Sequence, residues 1–284
     1  MGASYTTDVR RLPDPTSRLL VAADGRDRLG AAVPSPAAAF LLALIALPAL
    51  FWLITLKRTT GHLVPEEWLM ENLVPAVRDW IQSTVPPVDT LLIGISGLGS
   101  GWFVALGFAA MGLLALARRR PDIALLLAAG TLAFPIEWAL KYFTAIPAIS
   151  PAQLVNAMFD VNGIGLDDLA DFPAGHALRA TAFYGLVAFC IARLSPDRRT
   201  GLLAYASAIV LIGAISLTRI YLGAHFPMDV LGGWMAGGAL LSVVVAVHVL
   251  GVDEKARLAS GADPPGVRRV AVPYHGQPDT HRDA

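Results

Sequence analysis

Six apolar runs, each near the length a helix needs to cross a bilayer, set the terms for this chain. They cover roughly 37–56, 91–117, 123–141, 176–192, 201–217 and 230–252. About 20 residues of helix span the hydrocarbon core. The fourth run is among the shorter ones, and it carries a charge, Arg179. No long stretch alternates apolar and polar residues as the strands of a membrane barrel do. Of the 284 residues 55% are hydrophobic and 15% charged, where a soluble domain is charged at about a quarter of its positions. The expectation is an all-α integral membrane protein, a bundle of six transmembrane helices over 36–252. Polar tails, expected to be disordered, flank it at 1–35 and 253–284. The first apolar run is expected to stay in the mature chain, because a cleavable signal has a shorter apolar core.

Lysine and arginine collect on the cytoplasmic side of membrane proteins. With both termini inside, the inner segments hold the N-terminal arginines, the run Arg118–Arg120, the group Arg193, Arg198 and Arg199, and the C-terminal tail. All but six of the 22 basic residues then lie inside. The exceptions are Lys57, Arg58, Arg78, Lys141, Arg179 and Arg219. Three of these, Lys141, Arg179 and Arg219, fall at helix ends on the outer face, where His176 and His225 also fall. The expected location is a multi-pass cell-membrane protein with its active site outside. Zero net charge gives no support for a nucleic-acid partner.

Two histidines, an aspartate and several cations, with no metal-ligand spacing, suit chemistry on an anion such as phosphate. "PAGH", residues 173–176, runs straight into the fourth apolar segment, so it is a loop becoming a helix whose first amides face outward. Gly175 would let an anion approach the backbone closely. "HFPMD", residues 225–229, opens the sixth helix in the same way, with Pro227 in its first turn. There the four-residue spacing would bring the Asp229 carboxylate near the His225 ring.

Taken together, "TRIYLGAHFPMD" at 218–229, "PAGH" and Lys141 resemble the signature of the type 2 phosphatidic acid phosphatase superfamily, membrane relatives of the vanadium haloperoxidases. That signature reads lysine, six residues, Arg-Pro; then Pro-Ser-Gly-His; then Ser-Arg, five residues, His, three residues, Asp. The third part keeps Arg219, His225 and Asp229 in register, with Thr218 for serine. The second keeps Gly175 and His176, with Ala174 for serine. In the first, Lys141 stands, but Ala148 and Ile149 replace Arg-Pro.

The resemblance implies a phosphatase acting on an outer-leaflet lipid phosphate, either a monoester or a diphosphate. His225 would attack phosphorus to give a phosphohistidine, and Asp229 would orient it. His176 would protonate the leaving oxygen and then activate water. Lys141, Arg219 and the Gly175 amide would hold the phosphoryl oxygens, and the Ala174 amide would stand in for the absent serine. The scheme uses no metal and no cofactor, and its partners are the substrate and membrane lipids. A phosphotransferase, or a binder or transporter of phosphorylated lipids on the same scaffold, remains open.

Two more expectations concern charges near the site. Arg179, three residues after His176 on one helix face, is expected to supply the missing guanidinium to phosphate, unless it snorkels to headgroups. Lys141 could instead pair with Glu137, one turn earlier. Residues 144–172 would form a solvated loop over the site, and 64–84 a helix along the outer interface.

Overall fold

The computed structural model describes residues 35–60, 64–85, 87–144 and 172–260, so the two tails and most of the 144–172 loop lie outside the described residues. Every regular element among them is helical. Five stretches are long and apolar enough to cross a membrane. Helix α1 spans Pro36–Thr60, and the run Pro121–Thr144 follows further along. Then come α8 (Gly175–Leu194), α9 (Arg198–Tyr221) and α10, which crosses over Pro227–Val252. A bent pair, α4 (Val88–Gly97) and α5 (Gly101–Ala117), meets at 48° and together is long and apolar enough to make a sixth span if it counts as one. The Pro121–Thr144 run is itself two helices, α6 (Pro121–Gly130) and α7 (Ala133–Thr144).

Two boundaries differ from expectation. Helix α10 continues to Ser260, because Glu254, Lys255, Ala256, Arg257 and Leu258 are all strong helix formers that can extend a helix beyond the bilayer. The 64–84 stretch is helical, as α2 (Val64–Trp68) and α3 (Val74–Thr84) joined by a π-turn at Leu69–Leu73. Pro75 cannot donate to the carbonyl four residues back, and the widened turn shifts the hydrogen-bond register just ahead of it.

Helix α8 is the most enclosed span, packed on α9 and α10, while α1 lies along α10. Large side chains on the outer flanks, such as Leu44, Phe51, Leu125 and Ile209, stand exposed, which suits a surface solvated by lipid tails. The α8–α10 contact is close because Gly233 and Gly237 face it. A Cβ on either would stand 2.6 Å from a carbonyl oxygen of the opposing segment, Ala174 or Leu178 respectively. Small residues four apart let two membrane helices touch backbone to backbone. This contact brings the "PAGH" and "HFPMD" helix starts together.

Candidate active site

Helix α8 begins at Gly175, after Ala174 in extended conformation. Its first internal bond runs from the Leu178 N–H to the Ala174 carbonyl. The amides of Gly175, His176 and Ala177 therefore have no acceptor within the helix. The Ala174 amide is already used: it donates to the Asp229 carbonyl at 2.9 Å. It ties the two helix starts to each other, and the expectation that it serves a phosphate is corrected accordingly. Gly175 does admit an anion, but that anion belongs to the protein. A Cβ there would collide with the Glu137 carboxylate and lie 2.9 Å from Arg179 Nη1.

Arg179 does not take the headgroup role. Its side chain is 1% exposed, so it does not reach headgroups. Nη1 forms an ion pair with Glu137, and Nε donates to the Gly99 carbonyl at 3.2 Å. Nη2 sits 3.4 Å from His176 Nδ1. Each nitrogen of this guanidinium thus has a group of the protein within reach. Burying a charge in a membrane span is costly unless it is paired and hydrogen-bonded, and Glu137 and the Gly99 carbonyl meet that condition. The same geometry excludes the Lys141–Glu137 pair, since Glu137 faces α8.

The second half of the site comes from α9 and α10. Arg219, in the last turn of α9, is 2% exposed and donates through Nη1 to Ser96 Oγ at 2.9 Å. Thr218 turns its hydroxyl back onto the Ile215 carbonyl. Because α10 starts at Pro227, His225 precedes the helix and the four-residue pairing with Asp229 does not form. The buried Asp229 carboxylate instead accepts from the Phe226 amide through Oδ2 (2.9 Å) and pairs with Lys57 through Oδ1 (2.9 Å). Glu66 Oε1, from the short α2, accepts from the Met228 amide in the first turn of α10 at 2.6 Å. A carboxylate there complements the positive end of the helix. Lys57 also lies 5.0 Å over the Phe226 ring.

These contacts gather buried polar groups at the starts of α8 and α10. His176 and His225 are both buried, and Lys141 is 4% exposed at the end of α7. Arg219, Arg179, His225 and Lys141 are the charges that act on the His176 ring. His176 Nε2 is buried and has no hydrogen-bond partner among the described residues. Such an atom needs a partner, and a bound oxyanion supplies one. His176 and His225 lie at the starts of α8 and α10, with Lys141 at the end of α7 and Arg219 at the end of α9. Sequence reasoning did not single out Ser96, Gly99, Lys57 or Glu66. Ser96 and Gly99 lie in "GISGLGSG", where the small residues breaking the second span were the available signal.

Comparison with known proteins fits this picture. In a solved structure titled as the first transmembrane PAP2 type phosphatidylglycerolphosphate phosphatase, from Bacillus subtilis, the fold recurs with TM-score 0.50 and 24% identity. The superposition covers 78% of this chain and 96% of that one. Phosphatidylglycerophosphatase B of Bacillus subtilis (strain 168) is 34% identical over 88 residues, which is 30% of this chain and 39% of that protein. The sequence pattern of the PAP2 superfamily matches residues 100–251, more than half of the chain and including both histidine motifs. The chain is a multi-pass membrane protein that belongs to the PAP2 superfamily.

Proposed function

We propose that this protein is a membrane phosphatase that removes a phosphoryl group from a lipid phosphate, with its active site facing the outer leaflet and both termini in the cytoplasm. His225 attacks phosphorus in line, the bond to the lipid-side oxygen breaks, and a phosphohistidine forms. Water then releases inorganic phosphate and restores the ring. Lys141, Arg219 and the Gly175 amide hold the phosphoryl oxygens, where charge grows in the transition state. His176 stands at the leaving oxygen with Nε2 toward the site. Asp229 fixes the His225 segment by capping Phe226 and by binding Lys57.

The observation that supports this reading most is the junction of the two helix starts. The bond from the Ala174 amide to the Asp229 carbonyl, beside a buried His176 Nε2 without a partner among the described residues, supports it. Pure anion binding has no need of two imidazoles there. The named relatives act on a lipid phosphate, which supports the same class of substrate for this chain. Phosphate release from a panel of lipid phosphates in detergent tests the proposal. His225→Ala should lower turnover by roughly three powers of ten or more, as removal of a nucleophile does. Equal release by the variant contradicts it.

A further inference from the structure

Helix α3 presents three faces. With about 100° of rotation per residue, Leu73, Val77 and Trp80 fall in one narrow stripe, and all three are exposed. Val74, Arg78 and Ile81 lie roughly a third of a turn to one side and are half-buried. That side faces the bundle, where α3 packs on α4 and α9. Asp79 and Ser83 lie roughly a third of a turn to the other side and are exposed. An ordinary surface helix has two faces, one for the core and one for water. A third face, apolar and uncovered, calls for a different solvent.

The α2–α3 segment is also tied at both ends to the junction between α9 and α10. At its start, Glu66 Oε1 accepts from the Met228 amide at 2.6 Å, just after His225. At its end, Gln82 Nε2 donates to Asp89 Oδ2 in the first turn of α4. Asp89 Oδ1 in turn accepts from the Tyr221 hydroxyl at 3.1 Å, just after Arg219. The stretch from Tyr221 to Met228 is thus held from both sides by one segment. That segment precedes the 100–251 range shared with the family.

We propose that the apolar stripe of α3 rests in the lipid surface on the side of the membrane where the site lies, and that this contact steadies the α9–α10 junction carrying Arg219 and His225. The steadying role rests on the phosphatase reading above, whereas the lipid contact stands without it. The segment joins the end of one span, Thr60 of α1, to the start of another, Val88 of α4, so both its ends lie at one membrane boundary. The adjoining spans turn apolar side chains outward near those ends, Trp52 on α1 and Leu91 on α4. The lipid-facing surface therefore reaches the segment from both sides. Tryptophan favours the zone between headgroups and tails, and an amphipathic helix lying there keeps its polar side in water, as Asp79 and Ser83 would be. Three side chains are too few to seat a second copy of the chain, which needs roughly 800 Å² on each partner.

Because Cys190 is buried, a fluorophore can be attached through Trp80→Cys or Asp79→Cys in full-length protein reconstituted into phosphatidylglycerol–phosphatidylethanolamine vesicles. The label at 80 should be quenched by nitroxide-bearing lipid and screened from aqueous iodide, and the label at 79 should show the reverse. Equal quenching of both positions by iodide overturns the proposal. Turnover in the same vesicles is then compared for wild type, for Leu73→Ser with Trp80→Ser, for Glu66→Ala, and for all three changes together. The substrates are a long-chain lipid phosphate and a water-soluble short-chain one. The surface pair should lower kcat about tenfold on both, since a slight misplacement of reacting groups is costly in rate, while the thermal unfolding temperature holds. Glu66→Ala should cost less in that background than alone, as coupled residues do. An unchanged kcat, a loss confined to KM on the long-chain substrate, or losses that simply multiply overturns the steadying role. Wild-type protein inactive on both substrates, with the contrast between 79 and 80 present, overturns the phosphatase reading and the steadying role with it, and upholds the lipid contact.

Discussion

At the scale of single residues, the site is governed by what each buried polar group is joined to. Arg179 and Glu137 form one unit on facing helices, both at 1% exposure. Removing either partner leaves an uncompensated buried charge, which costs about 3–5 kcal/mol. Glu137→Ala should therefore lower the thermal unfolding temperature in detergent far more than Arg120→Ala does. Arg120 forms a half-exposed pair with Asp122, and such surface pairs contribute about 0–1 kcal/mol. A similar shift for the two variants would show that Glu137–Arg179 is not the buried anchor described. Gly175 belongs to the same unit, since the Glu137 carboxylate occupies the space of a side chain there.

At the scale of elements, function depends on how closely α8 and α10 approach. Gly233 and Gly237 let the backbones meet, and the Ala174–Asp229 bond forms at the end of that seam. Gly237→Leu, about two turns along α10 from Asp229, should push the helices apart at a cost of about 1–3 kcal/mol, as overpacking does. Activity and thermal stability should fall together. A variant with full activity and stability would mean that the seam does not position the site. Much of this level was legible from sequence. The apolar runs locate the spans because a bilayer demands continuous helix, and the spacing of Arg219, His225 and Asp229 locates the α9–α10 junction. The partners were not legible. Glu137 is 42 positions from Arg179 and Ser96 is 123 from Arg219, and only the packed bundle brings them together. The His225–Asp229 pairing failed for a local reason, since Pro227 starts the helix after His225 rather than before it.

At the scale of the molecule, the helix bundle gathers buried polar groups near the starts of α8 and α10, with Lys57 paired to Asp229 and Arg179 to Glu137. Lys57 from the first span and Glu66 from α2 both hold the start of α10, so segments remote in sequence fix the helix that follows the proposed nucleophile. Near the substituted motifs, Arg179 contacts Glu137, the Gly99 carbonyl and His176, and the Ala174 amide joins two helix starts. The central proposal is that His225 carries the phosphoryl group. Rapid quenching during turnover of a lipid phosphate with a radiolabelled terminal phosphoryl group tests this most directly, followed by mapping of the labelled peptide. The account predicts an acid-labile, alkali-stable label on the peptide containing His225 and none in His225→Ala. Label on another residue, or undiminished phosphate release by the unlabelled variant, would contradict it.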